Sequence, residues 1–322
     1  MDRTGICLVG CGHYAAAHAG ALSRMGVARL YFAGRDPVRS ADFAARHGGE
    51  ALPSFEAACD DPRVGGLILC VPHDLHRRFA ERAVASGKAV LLEKPLAHTL
   101  EDGEALARLD ARRLLVGENY AFMPFVPAAV RLLREAVVGR PRGVCAVHSK
   151  RYAPAGWRLR KERMGGGLLA DVGPHYLRLL QILLGPLRRV RLLEARRPIA
   201  AMEGESEFRL ALDFGEGVEG TFEASWDRDW DRSVPNVLVE GDGGALAYTC
   251  DRAYIELRGD TLRRVPIDAS DPMGKETLLR HFLEVVGGAA PAVDAVKALQ
   301  DLRAVDAAYR SAASGRWEAV GP

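Results

Sequence analysis

The chain has 322 residues, 48% of them hydrophobic and 27% charged, with a formal net charge of +2. That length suits two domains rather than one small core, and the balance is that of a globular chain. A charge so near zero gives no broad field for nucleic acid or a membrane surface, and no apolar run approaches the roughly 18 residues of a membrane span.

The opening MDRTGICLVG reads as a short apolar strand, without the apolar core and small-residue cleavage site of a signal peptide. The first 120 residues then alternate strand and helix signals. Strands are expected at 5–10, 28–34, 65–71, 89–93 and 113–118, with helices over 13–25, 36–48 and 74–87 between them. Asp36 suits an N-cap, Pro37 the first helical position and Gly48 the C-terminal end. Strands that are apolar throughout, rather than alternating, belong to a parallel sheet covered on both faces.

After residue 120 the pattern changes. A helix is expected over 124–139, followed by β-rich runs at 142–152, 207–226, 236–250 and 253–267, separated by turns such as FGEGVEG and GDGGA. A helix near 174–184 interrupts them, and helices near 275–287 and 294–314 close the chain. The reading is α/β in two domains: residues 1–120 with a parallel, dinucleotide-binding sheet, and residues 121–322 with a large open, mostly antiparallel sheet. The cysteines at 7, 11, 59, 70, 145 and 250 form no C-x-x-C pair. They read as reduced thiols of a cytoplasmic protein, and no metal site is expected.

Chemistry-bearing residues gather where strands end. VGCGHYA places Gly10, Gly12 and Ala15 as G-x-G-x-x-A between the first strand and the first helix, with His13 and Tyr14 opening that helix. The first glycine permits the tight turn, the second lets backbone approach a pyrophosphate, and the small third residue lets helix pack on strand. The second strand ends FAGRDP: Gly34 stands where an acid would read the ribose of NAD, and Arg35 follows. A missing acid beside an arginine suits the 2′-phosphate of NADP; the other reading leaves the ribose to Asp36 and Arg35 to the adenine. Val71 ends the strand at 65–71 and Pro72, His73 and His76 follow it, while Glu93 ends the strand at 89–93 and Lys94 follows it in LLEKPLA. These are the carboxyl ends of strands, where open sheets bind ligands. A lysine held there by the following proline can donate to an oxygen that becomes alkoxide or carbonyl. Further on, GGGLLADVGPH sets Asp171 and His175 four residues apart behind three glycines. On a helix they share one face, with Pro174 either starting or kinking that helix.

Together these segments resemble the glucose–fructose oxidoreductase, inositol dehydrogenase and rhizopine-catabolism (Gfo/Idh/MocA) family. The agreement runs from VGCGHYA through VPHDLHRRFAERAVASGKAVLLEKPLA and GWR…GGGLLADVGPHYLRLL to AYRSAASGRW, nearly the whole chain. The resemblance implies an N-terminal Rossmann domain, a C-terminal α/β domain with an open sheet, and a cofactor cleft between them. It implies a catalytic trio on Lys94, Asp171 and His175, with Asn119 near the nicotinamide and Trp157 and Arg158 near substrate. It also implies NAD or NADP as cofactor, the FAGRDP strand end favouring NADP, a sugar or cyclitol substrate, with a nucleotide-sugar left open by the basic stretch that follows Arg158, and a homodimer or homotetramer built on the open sheet. The basic stretch around Arg160, Lys161 and Arg163 reads equally as an anion grip and as a solvated loop. Two other functions stand beside hydride transfer to or from a secondary carbinol: reduction of a C=N or C=C bond, and a non-redox role, glycosidase-like or sensory.

Overall fold

A computed structural model describes residues 5–27 and 29–321. Position 28, where the second expected strand begins, and positions 1–4 and 322, at the outer ends of the two expected domains, lie outside the described residues. The chain forms two compact units: the described residues through Gly117 with Glu276–Leu299, and Glu118–Lys275 with the described residues from Gln300.

The first unit alternates β1 (Gly5–Val9), α1 (His13–Arg24), β2 (Leu30–Ala33), α2 (Pro37–His47), β3 (Glu50–Ala51), α3 (Phe55–Asp60), β4 (Val64–Leu69), α4 (His76–Ala85), β5 (Ala89–Glu93), α5 (Leu100–Leu106) and β6 (Leu114–Gly117). Its sheet has six strands in the order β3-β2-β1-β4-β5-β6, all parallel. The order reverses between β1 and β4, so the carboxyl ends of these two strands flank the switch point where doubly wound sheets bind ligands. Ile6, Cys7, Leu8, Leu67, Ile68, Val90 and Leu91 are fully buried, as strands covered on both faces require. Two short helices, α3 and α5, escape a periodicity reading because each spans less than two turns; Ser54 and Thr99 cap them through Ala57 N (3.1 Å) and Asp102 N (3.2 Å).

Residues 276–299 were expected in the second domain and instead complete the first unit. Phe282 and Val285 of α9 (Lys275–Val286) are buried, and a Cβ on Gly66 of β4 would stand 2.7 Å from Val286 and 3.0 Å from Phe282. The glycine thus makes room for the helix on the sheet, while Val116 N donates to Val293 O at 2.9 Å beside β6. Chain order alone does not reveal a return to an earlier core.

The second unit holds α6 (Phe125–Arg134), β7 (Pro141–Ser149), α7 (Lys161–Met164), α8 (Leu168–Leu184), β8 (Arg189–Arg196), β9 (Glu207–Gly215), β10 (Val218–Ser225), β11 (Val237–Gly241), β12 (Gly244–Tyr248), β13 (Tyr254–Arg258), β14 (Leu262–Pro266) and β15 (Glu318–Ala319). The last helix, α10 (Ala295–Ser314), enters this unit from Gln300 onward. The nine strands run β14-β13-β12-β11-β7-β10-β9-β8-β15; β7 and β10 are parallel and every other pair antiparallel. β8 was not anticipated, because RVRLLEAR carries one fully buried residue, Val190, among exposed arginines.

α8 begins six residues before Pro174, earlier than expected, and keeps the proline inside. A proline clashes with the Cβ of the preceding residue in a helix, and that residue is Gly173, which has none. The helix is buried on nearly all sides from Leu168 to Leu180, so tertiary packing offsets what the lost backbone hydrogen bond costs.

Candidate active site

In the first unit, the glycine turn closes β1 as the spacing predicts. Gly10 adopts φ +104°, and a Cβ there would stand 2.5 Å from the Cys70 carbonyl oxygen. The turn between β1 and β4 therefore needs glycine for the fold itself. Gly12 is different: it caps α1 in extended conformation, and a Cβ on it would meet nothing within 4 Å. His13 and Tyr14 are exposed beside it in the first turn, while Ala15 is fully buried against the sheet. The open side of Gly12, at the positive end of a helix and at the switch point, suits the pyrophosphate of a dinucleotide.

At the end of β2, a side chain on Gly34 would press on Ser40 Oγ at 2.9 Å, which explains why no acid stands there. Asp36 uses its Oδ1 as the cap of α2, accepting from Val38 N (3.0 Å) and Arg39 N (3.2 Å). Arg35 is exposed, and Arg39, which sequence reasoning passed over, donates to the Cys11 carbonyl inside the glycine turn at 3.0 Å. Two arginines, Arg35 and Arg39, thus follow β2 within six residues of its end.

The segment after β4 places Val71 and Pro72 half-buried and His73 buried at the carboxyl edge. His76 is fully buried, with Nδ1 2.8 Å from Pro95 O and Nε2 3.1 Å from Val71 O. Burial lowers its pKa. Its ring braces two backbone segments, so it bears on a ligand only through the positions of Val71 and Pro95. Glu93, the last residue of β5, meets Nε2 of His18 at 2.6 Å; His18 lies on the buried face of α1. This contact links the glycine-turn helix to the E-K-P segment. Lys94, 6% exposed, follows at the carboxyl edge of the sheet.

In the second unit, Asp171 stands in the first turn of α8 and His175 one turn on, 5% and 8% exposed. Arg158 Nε lies 3.3 Å from Asp171 Oδ2, and the Arg158 guanidinium lies 4.4 Å over the Trp157 ring. The three residues singled out from GWR and GGGLLAD therefore meet. His175 Nδ1 makes a short contact to Glu118 Oε1, and the Tyr120 ring stacks on the imidazole at 4.5 Å and 17°. Neither Glu118 nor Tyr120 was singled out from the sequence; the only available signal for Glu118 is an acid closing an apolar strand run. Asn119 donates its amide to Met273 O at 2.7 Å, which ties it to the 271–275 turn.

The basic stretch is internally neutralised in part: Arg160 pairs with Glu203 at 2.6 Å and Arg158 with Asp171. The glycines ahead of α8 are crowded by the protein itself. A Cβ on Gly166 would enter the Tyr309 ring and one on Gly167 the Glu205 backbone. Gly167 N donates to Tyr309 OH at 3.0 Å, and that hydroxyl donates to Glu205 Oε1 at 2.9 Å. Burial raises the pKa of both Glu205 and Tyr309. Among the described residues no cluster could hold a metal ion, no cysteine is disulfide-bonded, and no helix is long and apolar enough to cross a membrane.

A dinucleotide turn at the switch point of one unit and a buried acid and imidazole on one helix of the other define an oxidoreductase that uses a nicotinamide dinucleotide. Residues 4–117 match the model of an oxidoreductase family with an NAD-binding Rossmann fold, and residues 126–247 match the Gfo/Idh/MocA C-terminal domain. Together the two matches cover well over half of the chain, which belongs to the Gfo/Idh/MocA family. It is 24% identical over 292 residues to a levoglucosan dehydrogenase of Pseudarthrobacter phenanthrenivorans, covering 78% of this chain and 75% of the relative. It is 35% identical over 157 residues to a dTDP-3,4-didehydro-2,6-dideoxy-alpha-D-glucose 3-reductase of Streptomyces antibioticus, 47% of each chain. A solved levoglucosan dehydrogenase in complex with NADH and levoglucosan superimposes with a TM-score of 0.88 at 21% identity, covering 99% of both chains, and so shares the fold.

Proposed function

We propose that this chain oxidises a secondary alcohol, or reduces the corresponding ketone, on a sugar or cyclitol with a nicotinamide dinucleotide. One observation carries the reading: the carboxylate and the imidazole of α8 are both buried and both engaged by ionic partners, in a chain whose other unit presents the dinucleotide turn. When bound, the nicotinamide accepts or returns the hydride of the carbinol carbon. His175 takes the hydroxyl proton in oxidation and gives it back in reduction. Lys94 donates to the oxygen as it changes between alkoxide and carbonyl. Asp171 accepts from a substrate hydroxyl while Arg158 holds its orientation.

Gly10, Gly12, His13 and Tyr14 would receive the pyrophosphate, and Val71, Pro72, His73, Glu93 and Asn119 would line the nicotinamide side. NADP is the favoured cofactor. The Asp36 carboxylate is committed to capping α2, and Arg35 and Arg39 supply two guanidinium groups where a 2′-phosphate would sit. With Arg158 and Arg160 paired to Asp171 and Glu203, the 157–163 stretch favours a neutral sugar over a nucleotide-sugar. We place the enzyme in the cytoplasm as a homodimer or homotetramer joined through the open sheet, a state that light scattering reads directly.

Titration of nicotinamide fluorescence with NADPH and NADH tests the cofactor reading. Tighter NADPH binding that Arg35→Ala removes supports it; tighter NADH binding transfers the ribose to Asp36. Net reduction of NAD(P)+ by a panel of sugars separates the proposal from the alternatives. Turnover of a C=N or C=C substrate only, or of no substrate at all, rejects it.

A further inference from the structure

We propose that Glu118 is the positioning residue of His175: it holds the Nδ1 proton, orients the imidazole, and leaves Nε2 to exchange a proton with the substrate hydroxyl. This rests on the reading of His175 as acid and base given above.

Glu118 is 1% exposed, and a carboxylate so buried must be paired and hydrogen-bonded. Its Oε1 meets His175 Nδ1 and accepts from the backbone N–H of Tyr120 at 3.3 Å. The Tyr120 ring, two residues on, lies nearly parallel to the imidazole at 4.5 Å. Ring plane and ring rotation are therefore set by the same short segment. A neutral imidazole has one N–H and one lone pair, and an ionised carboxylate only accepts. Facing Glu118, Nδ1 carries the hydrogen and Nε2 carries the lone pair.

The proton balance follows. In oxidation the substrate O–H proton moves to Nε2, the C–H electron pair leaves with its hydrogen for the nicotinamide, and a C=O bond forms. The imidazolium so created stands against the Glu118 carboxylate, which stabilises it. In reduction the proton returns from Nε2 to the new alkoxide. Other polar groups near the ring have partners of their own. Asp171, one turn before His175, is held by Arg158, and Arg178, three residues after it, by Asp301 of α10 at 3.0 Å. Burial raises the pKa of Asp301, Glu118 adds to that rise, and Arg178 opposes it. Glu118 is the carboxylate in contact with His175.

The test uses the full-length protein with 15N-labelled histidine. Imidazole nitrogen shifts are followed across pH in the wild type, Glu118→Gln, Glu118→Asp and His175→Asn, the last assigning the signal. The wild type is expected to show neutral His175 as the Nδ1–H tautomer. In Glu118→Gln, whose amide can donate as well as accept, that tautomer preference is expected to be lost, and in Glu118→Asp, which keeps the charge, to be retained. An Nε2–H tautomer in the wild type, or an unchanged tautomer preference in Glu118→Gln, overturns the proposal; should the Gln variant not fold, the wild-type tautomer and the Asp variant decide. With levoglucosan and NAD(P)+ as the activity probe, Glu118→Gln is expected to lose roughly tenfold or more in kcat with KM little changed. Undiminished turnover in His175→Asn would sink the acid–base reading itself while leaving the tautomer result intact.

Discussion

The two glycine-rich turns look alike as letters and differ in cause. In the turn after β1, Gly10 is required by the protein's own backbone at Cys70, whereas a side chain on Gly12 would meet empty space. In the run before α8, Gly166 and Gly167 are hemmed in by Tyr309 and Glu205. The first turn has a glycine with open space beside it, which we propose a dinucleotide fills. The second keeps glycines so that a buried Tyr–Glu pair can hold the start of the helix carrying Asp171 and His175. Gly166 and Gly167 ahead of this helix thus serve packing.

The largest effect that would sharpen this contrast lies outside both turns. Lys94→Met is expected to reduce turnover by roughly 10² to 10⁴ while NAD(P)H still binds by fluorescence; normal turnover would remove the lysine from the chemistry. Next comes Gly167→Ala, whose new methyl group has no room beside Glu205. It should cost about 1–3 kcal/mol of stability, read by urea unfolding, with dinucleotide affinity unchanged in the molecules that remain folded. Gly12→Ala should do the reverse, leaving the unfolding midpoint in place and weakening dinucleotide binding about tenfold, near 1.4 kcal/mol. If Gly12→Ala unfolds the protein, or Gly167→Ala weakens the cofactor alone, the contrast between the turns is wrong.

The smallest effect concerns pH. Burial pushes the Asp301 carboxyl up to about 8, above its ordinary value of 3.8. A carboxyl raised in the folded state binds its proton more tightly there than in the unfolded chain, so its contribution to stability is complete below the ordinary carboxylate range. That contribution erodes as pH climbs toward the folded value. Thermal unfolding of the wild type should therefore lose stability between pH 5 and 8 more steeply than Asp301→Asn; parallel profiles would place the ionised Asp301 with Arg178 throughout.

Much of the first unit was legible in the chain. Five apolar strands, the Asp36 cap with Pro37 behind it, and G-x-G-x-x-A between strand and helix are local statements, and the structure repeats them within a few residues. Local signals also singled out Lys94, Asp171 and His175 as candidates, because an E-K-P after a strand and an acid and histidine at helical spacing need no knowledge of distant neighbours. The strand passed over, β8, and the helix expected in the other domain, α9, share a different property. β8 buries one residue fully, and α9 joins a sheet whose strands lie far earlier in the chain. Their placement depends on partners the sequence keeps distant.

The same division holds at the site. By itself the sequence determined which groups are present: a dinucleotide turn, a lysine at a strand end, an acid and an imidazole one helical turn apart. Backbone periodicity and short-range sterics suffice for that. Only the tertiary structure decided what each group touches. It set Arg158 on Asp171, Arg39 on the glycine turn, His76 between two carbonyls, and Glu118 on His175 across 57 residues of chain. Charge pairing and desolvation act through space, and spatial neighbours become known only when the chain has closed upon itself.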